Sequence, residues 1–220
     1  MFYKLSNLAT IDSIESKFHV SFEYPNLYRN EIIIEGKKES ILPVITANEP
    51  KKVTYAIWGL LPENFEDNWS VFQNAFNTLN VEFETLEKTT GLFSGMLERK
   101  RCAILVTGFF TSLLTRGTIE QCYVHLPNYE PFAIGGVYNE LNDGFITCSM
   151  VVIPASKSFR EVPDVSNLKP LILKNGEMKR WLDPSSKIEE ISELGAGNMT
   201  MEFDYEFNQD LNSMLKRISE

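Results

Sequence analysis

The sequence predicts an α+β fold, and three observations carry that expectation. Between Arg101 and Leu141 (RCAILVTGFFTSLLTRGTIEQCYVHLPNYEPFAIGGVYNEL) apolar runs are punctuated at Gly108, at Arg116-Gly117 and at Asn128–Pro131, the pattern of a three-stranded meander. Its first strand, Cys102–Val106, is apolar on both faces and so belongs at the centre of a sheet. Whatever follows Gly108 should then lie near the floor of any cleft. Across the chain strands outnumber helices and do not alternate with them in a βαβ rhythm.

Taken in order, Thr10 can cap a short amphipathic helix in which Ile11, Ile14 and Phe18 recur at helical spacing. Glu31–Gly36, Ser40–Thr46 and Val53–Trp58 read as strands separated by turns at Gly36-Lys37-Lys38 and Asn48-Glu49-Pro50, and Pro62 ends the pairing because it cannot donate to a ladder. Trp69, Phe72, Phe76 and Leu79 mark a helix after Asn68, a stripe that reads as core rather than as a cofactor contact. Leu79–Leu86 alternates with period two and predicts a strand, and Thr90 can cap a helix through Leu97. The basic run Arg99-Lys100-Arg101 suits that helix's C-terminus, where the dipole favours cations. After the meander come a buried strand over Phe145–Ile153, an irregular loop over Pro154–Pro163, an extended Leu168–Leu173 and a helix from Asn175 through Leu182. Ser186 and Glu189 sit in capping-box register for a further helix; Met199, Met201, Phe203, Tyr205 and Phe207 alternate as a last strand, and Leu211–Ile218 closes as a helix.

At 220 residues, with 43% hydrophobic and 23% charged, the chain reads as one soluble globular domain, 1–220. Its net charge of −9 opposes strong non-specific attraction to nucleic acid, though a local basic groove stays possible. No apolar run approaches the ~20 residues that span a bilayer and the N-terminus has no signal design, so a cytoplasmic protein with no membrane partner is expected. Cys102, Cys122 and Cys148 are spaced too widely for a metal knuckle or a CxxC pair and read as buried, reduced thiols. With only His19 and His125 present, a His-centred triad or His-rich metal site is not expected, and no glycine-rich phosphate loop occurs. No metal or other cofactor is expected. Asn80, Glu82 and Glu84 project from one strand face, where paired carboxylates could serve acid/base work or simply face water.

Four stretches, in order, resemble the SOS-response-associated peptidase (SRAP) family. YAIWGLLP (Tyr55–Pro62) resembles its F-x-WG-x-x-P turn, and NVEFET (Asn80–Thr85) its NARxET motif. RCAILVTGFF (Arg101–Phe110), followed by YEPFAIGGVY (Tyr129–Tyr138), is similar to its RC-[LI]-x-P-A-x-GFYEW and PFAFAGLW strands. GFITCSMVV (Gly144–Val152) with LKPLIL (Leu168–Leu173) resembles the segments framing the family's active-site histidine. The resemblance implies a strand-rich open barrel of antiparallel strands with peripheral helices and a groove for single-stranded DNA. It also implies the family's chemistry: removal of Met1 exposes a cysteine whose α-amino and thiol groups condense with an abasic-site aldehyde, giving a thiazolidine crosslink. In the family a glutamate after the GFY turn and a histidine assist, and are implicated in self-cleavage of the N-terminus and crosslink reversal, while the NARxE asparagine helps hold the reactive end.

This chain departs from the pattern where that chemistry lives. Phe2 stands at the cysteine position and its bulk should keep Met1 in place, because methionine aminopeptidase tolerates only small neighbours; Thr111 stands at the glutamate position, Ser166 falls near the histidine, and Glu82 replaces the NARxE arginine. What the resemblance leaves is a non-covalent binder of single-stranded or abasic DNA, with Asn80 and Glu84 retained, Trp58 against a base or in the core, and Lys4 and Lys169 on phosphates. The alternatives are a pseudoenzyme whose acidic surface meets a protein or small ligand, and an enzyme with a relocated nucleophile such as Ser166, Thr111 or Cys148. A monomer is the expected state.

Overall fold

In the computed structural model, which describes residues 2–88, 90–115, 117–155, 167–187, 190 and 202–204, the chain begins with β1 (Lys4–Asn7) and α1 (Ile11–Phe18). The Thr10 hydroxyl accepts the Ser13 N–H at 3.2 Å, and Ile14 and Phe18, one turn apart, are buried. There follow β2 (Ser21–Phe22), β3 (Glu31–Glu35), β4 (Ile41–Thr46), β5 (Lys52–Trp58), α2 (Trp69–Phe76), β6 (Asn80–Glu82), α3 (Phe83–Leu86) and α4 (Met96–Arg99). The second half supplies β7 (Arg101–Val106), β8 (Gly108–Thr115), β9 (Thr118–His125), β10 (Phe132–Glu140), β11 (Ile146–Pro154), β12 (Leu168–Pro170), β13 (Ile172–Leu173), α5 (Asn175–Leu182) and β14 (Glu202–Asp204).

Two sheets result. One orders as β14-β9-β8-β1-β3; the other as β12-β11-β10-β7-β4-β5-β2, with β13 on β10 and β6 on β11. The larger sheet curls until β11 meets β5 in parallel at Thr147↔Ile57 and Cys148↔Trp58, and the arrangement stays open rather than closing fully as a barrel. β7 lies at its centre between β4 and β10 and is buried throughout, as its unbroken apolar run requires. Leu5, Phe109, Cys122 and Val124 of the small sheet, with Phe2 just before β1, share the core between the sheets with Trp58, Ile104, Ile134 and Met150 of the large one. The other face of the large sheet is covered by the helices, where Ile14, Leu86, Met96 and Trp181 pack on Ala103, Leu105 and Val151.

The expected meander is divided between the sheets. β7 is not followed by its neighbour: Thr107 gives its N–H to the Ser6 carbonyl at 2.9 Å and its hydroxyl accepts the Leu8 N–H at 3.0 Å, so the chain is handed to β1 and β8 joins the small sheet. Gly108 permits the crossing, since a Cβ there would meet the Tyr123 ring at 2.3 Å. Leu79–Leu86 is likewise not one strand. Only Asn80–Glu82 pairs, and Phe83 and Leu86, three apart, then bury on the helix-covered face as a helical turn. The helix expected through Leu97 is confined to Met96–Arg99, with Arg99 in its last turn, whereas Arg101 serves the end of another helix: buried at the start of β7, it donates to the carbonyl of Asp183, the C-cap of α5, and lies over the Trp181 ring at 5.9 Å. Burial lowers its guanidinium pKa. Expectations for the loop beyond Ala155, the helix opened by Ser186 and Glu189, and the Leu211–Ile218 helix lie outside the described residues; of the last alternating stretch, Glu202–Asp204 pairs with β9. No helix among the described residues is long and apolar enough to cross a membrane.

Candidate functional site

Asn80 and Phe2 meet where the N-terminal segment enters between the sheets. β6 runs parallel to β11 with Asn80 opposite Met150, which fixes the asparagine beside the chain's first residues. Its side-chain amide donates to the Phe2 carbonyl at 2.8 Å, while its own carbonyl oxygen is buried and accepts nothing among the described residues. The next residue is pinned too: the Tyr3 carbonyl accepts the Gly36 N–H at 2.8 Å, the Asn77 amide reaches the Tyr3 hydroxyl at 3.0 Å, and the Lys37 ammonium lies 4.8 Å from the Tyr3 ring centroid. Gly36 is forced by packing, because a Cβ there would sit 2.9 Å from the Trp58 ring.

Phe2 itself is 2% exposed, and its ring meets Phe109 edge-on at a centroid distance of 5.5 Å. Thr111 lies two residues beyond Phe109 on β8, hence on the same sheet face, and is buried opposite Cys122. Position 2 therefore ends in a phenyl ring within an apolar pocket. Thr111 brings a hydroxyl rather than a carboxylate to this face of β8.

The remaining candidates do not join this cluster. Trp58 is fully buried, and its indole N–H donates to the Leu79 carbonyl at 2.8 Å, so its ring serves the core rather than a base. Lys4 is half-buried with its ammonium 3.1 Å from the Gln121 amide oxygen. Glu82 and Glu84 are exposed, the second on α3. Lys169 is buried on β12, where desolvation pulls its ammonium pKa down and Glu177 and Lys174 act on it with opposite signs. Ser166 lies outside the described residues. Cys148 is fully buried and its thiol is pushed up to about 12, and burial raises Cys102 as well, which leaves neither as a ready thiolate. His125 is taken up by a ring stack, 5.1 Å from Tyr123 and 4.3 Å from Tyr129. Among the described residues no group of three or more His, Cys, Asp or Glu side chains could hold a metal ion.

Sequence reasoning passes over Tyr3, Gly36, Lys37 and Asn77, which complete the clamp. Gly36-Lys37-Lys38 reads only as a turn, and a lone Asn77 carries no periodic signal.

A two-sheet α+β protein that grips its own second residue through a β6 asparagine is the class this geometry defines. The profile of the SOS response associated peptidase (SRAP) family matches residues 6–212, and the chain belongs to that family. The matched span begins beyond Phe2, whose place is set by the clamp. Among solved structures, a protein from Bacteroides thetaiotaomicron is similar with a TM-score of 0.78 at 19% identity, covering 91% of this chain and 90% of its own. A protein from Bordetella bronchiseptica follows at 0.75 and 14%, covering 94% and 100%, and a phage-related protein from the same organism at 0.65 and 13%, covering 91% and 92%. At these identities the likeness is one of fold. No curated protein matches the sequence.

Proposed function

We propose that this chain is a SRAP-fold protein that binds single-stranded DNA without bonding to it. The observation that carries the non-covalent half is Phe2, whose buried ring fills the position from which the family's aminothiol acts, with its carbonyl already committed to Asn80. The DNA half follows from family membership and from two cations beside that position, Lys4 on β1 and the exposed Lys37 over Tyr3. Because the Asn80 amide is engaged by the protein's own backbone, abasic and intact strands should bind equally. Fluorescence anisotropy with a labelled single-stranded oligonucleotide tests this: micromolar binding that weakens as salt rises and falls on Lys4→Gln and Lys37→Gln supports the reading, and no binding at low salt refutes it.

A second reading, a pseudoenzyme presenting an acidic surface to a protein, draws on the net charge of −9 and on the carboxylates that lead into α2.

A further inference from the structure

The stripe expected as core divides at α2: Trp69 and Leu79 are buried and Phe72 packs against the core, but Phe76 turns outward. The buried side of α2 holds Trp69 and Gln73, and the glutamine amide is satisfied there: its nitrogen donates to the Thr78 hydroxyl at 2.7 Å and its oxygen accepts the Thr78 N–H at 2.9 Å. Val71, Phe72, Ala75 and Phe76 form an adjoining apolar stripe at i, i+1, i+4 and i+5. In this adjoining stripe Val71 and Phe76 are each 69% exposed, and Phe76 is the member of the expected core stripe that lies in water. Phe72 is half-buried and bridges Phe65 at 5.1 Å and Phe76 at 5.2 Å, so a ladder of rings steps outward from the core between the sheets. The loop entering α2 carries Glu63, Glu66 and Asp67, all exposed and in no ion pair among the described residues, while α2 itself bears no charge.

We propose that this face docks a basic amphipathic segment of another protein, its apolar side on the Val71–Phe76 stripe and its lysines or arginines on the three carboxylates. Contiguous exposed apolar surface of this kind marks an interaction site, and opposite charge at the rim selects and orients the partner. The same carboxylates argue against the other occupants. A nucleic acid would bring phosphates against them, and a second copy packed two-fold on this face would set them against their own kind. The inference stands independently of the DNA reading, which places strands beside Lys4 and Lys37.

The test measures anisotropy of a short labelled synthetic peptide with leucine and lysine at helical spacing. It is titrated with the wild-type chain, with Phe76→Ser, and with the combined variant Glu63→Gln, Glu66→Gln, Asp67→Asn. Affinity is expected to fall about tenfold or more in Phe76→Ser and by a similar factor in the neutralised variant, with unchanged unfolding midpoints because every altered side chain is exposed. A control peptide with serine for leucine should bind no better than the Phe76→Ser variant binds the original. Equal affinity of wild type and Phe76→Ser, or equal binding of the control peptide, overturns the proposal. So does competition for the face by a single-stranded oligonucleotide, or self-association that Phe76→Ser abolishes.

Discussion

The clamp at residue 2 and the outer face of α2 treat aromatic side chains in opposite ways. At the clamp a phenyl ring is sealed between two sheets, edge-on to Phe109, and the backbone around it is held by Asn80 and Gly36. On α2 a polar Gln73 goes inside with both ends of its amide matched by Thr78, while Phe76 stands in water. Position 2 is packed as core, with its backbone carbonyl held by Asn80. The helix face carries apolar surface that folding does not use.

The sharpest way to break this contrast is to remove the ring at the clamp. Phe2→Ala should cost about 3 kcal/mol in chemical denaturation, as for other large-to-small core substitutions, and a loss near zero would show that the N-terminal segment does not belong to the core. Asn80→Ala removes one buried hydrogen bond and leaves the Phe2 carbonyl unmatched, for about 1–2 kcal/mol. If Asn80→Ala proved as stable as wild type, the bond would be incidental.

A pH-gated effect sharpens the status of the buried thiols. Cys148 has an ordinary value of 9.0 and is pushed up to about 12 by burial, so its folded value lies above its unfolded one. Its stabilising contribution is then complete below pH 9 and lost as pH rises toward 12, since the unfolded thiol ionises first. Cys102 and Tyr138, raised by the same cause, add to the slope. Urea titrations across this range should show declining stability, with a shallower decline in Cys148→Ala, and the native thiols should resist a thiol-specific disulfide reagent at neutral pH. Rapid labelling of Cys148 in the folded protein would reopen the case for a relocated nucleophile. Smallest of all, Phe76→Ser should change stability by no more than about 0.5 kcal/mol, the range of an exposed substitution, in direct contrast to Phe2→Ala.

Much of this was legible in the chain wherever local chemistry decides the outcome. Thr10 with Ile14 and Phe18 announces α1 because a cap and a helical period act within a few residues. The apolar run of β7 announces a central strand because both its faces must be covered. The resemblance of NVEFET to a family motif points to Asn80, and the structure sets its amide against the Phe2 carbonyl. Harder to read was anything settled between distant segments. Gly108 looks like a turn but is a crossing between sheets, decided by Ser6 and Tyr123. The alternation of Leu79–Leu86 stops at Glu82 because Phe83 and Leu86 find burial under the helices. Phe76 reads as core since its spacing is right, yet α2 fills its inner side with Trp69 and Gln73. The contacts of Tyr3 with Gly36 and Asn77 leave no periodic trace at all.

The most direct test of the central claim incubates the wild-type protein with single-stranded DNA carrying an abasic site and resolves the mixture by denaturing electrophoresis. Phe2 at the reactive position predicts free protein and free DNA, with no shifted band. A species that survives heat and detergent would contradict the account, because a thiazolidine needs an aminothiol and residue 2 is phenylalanine.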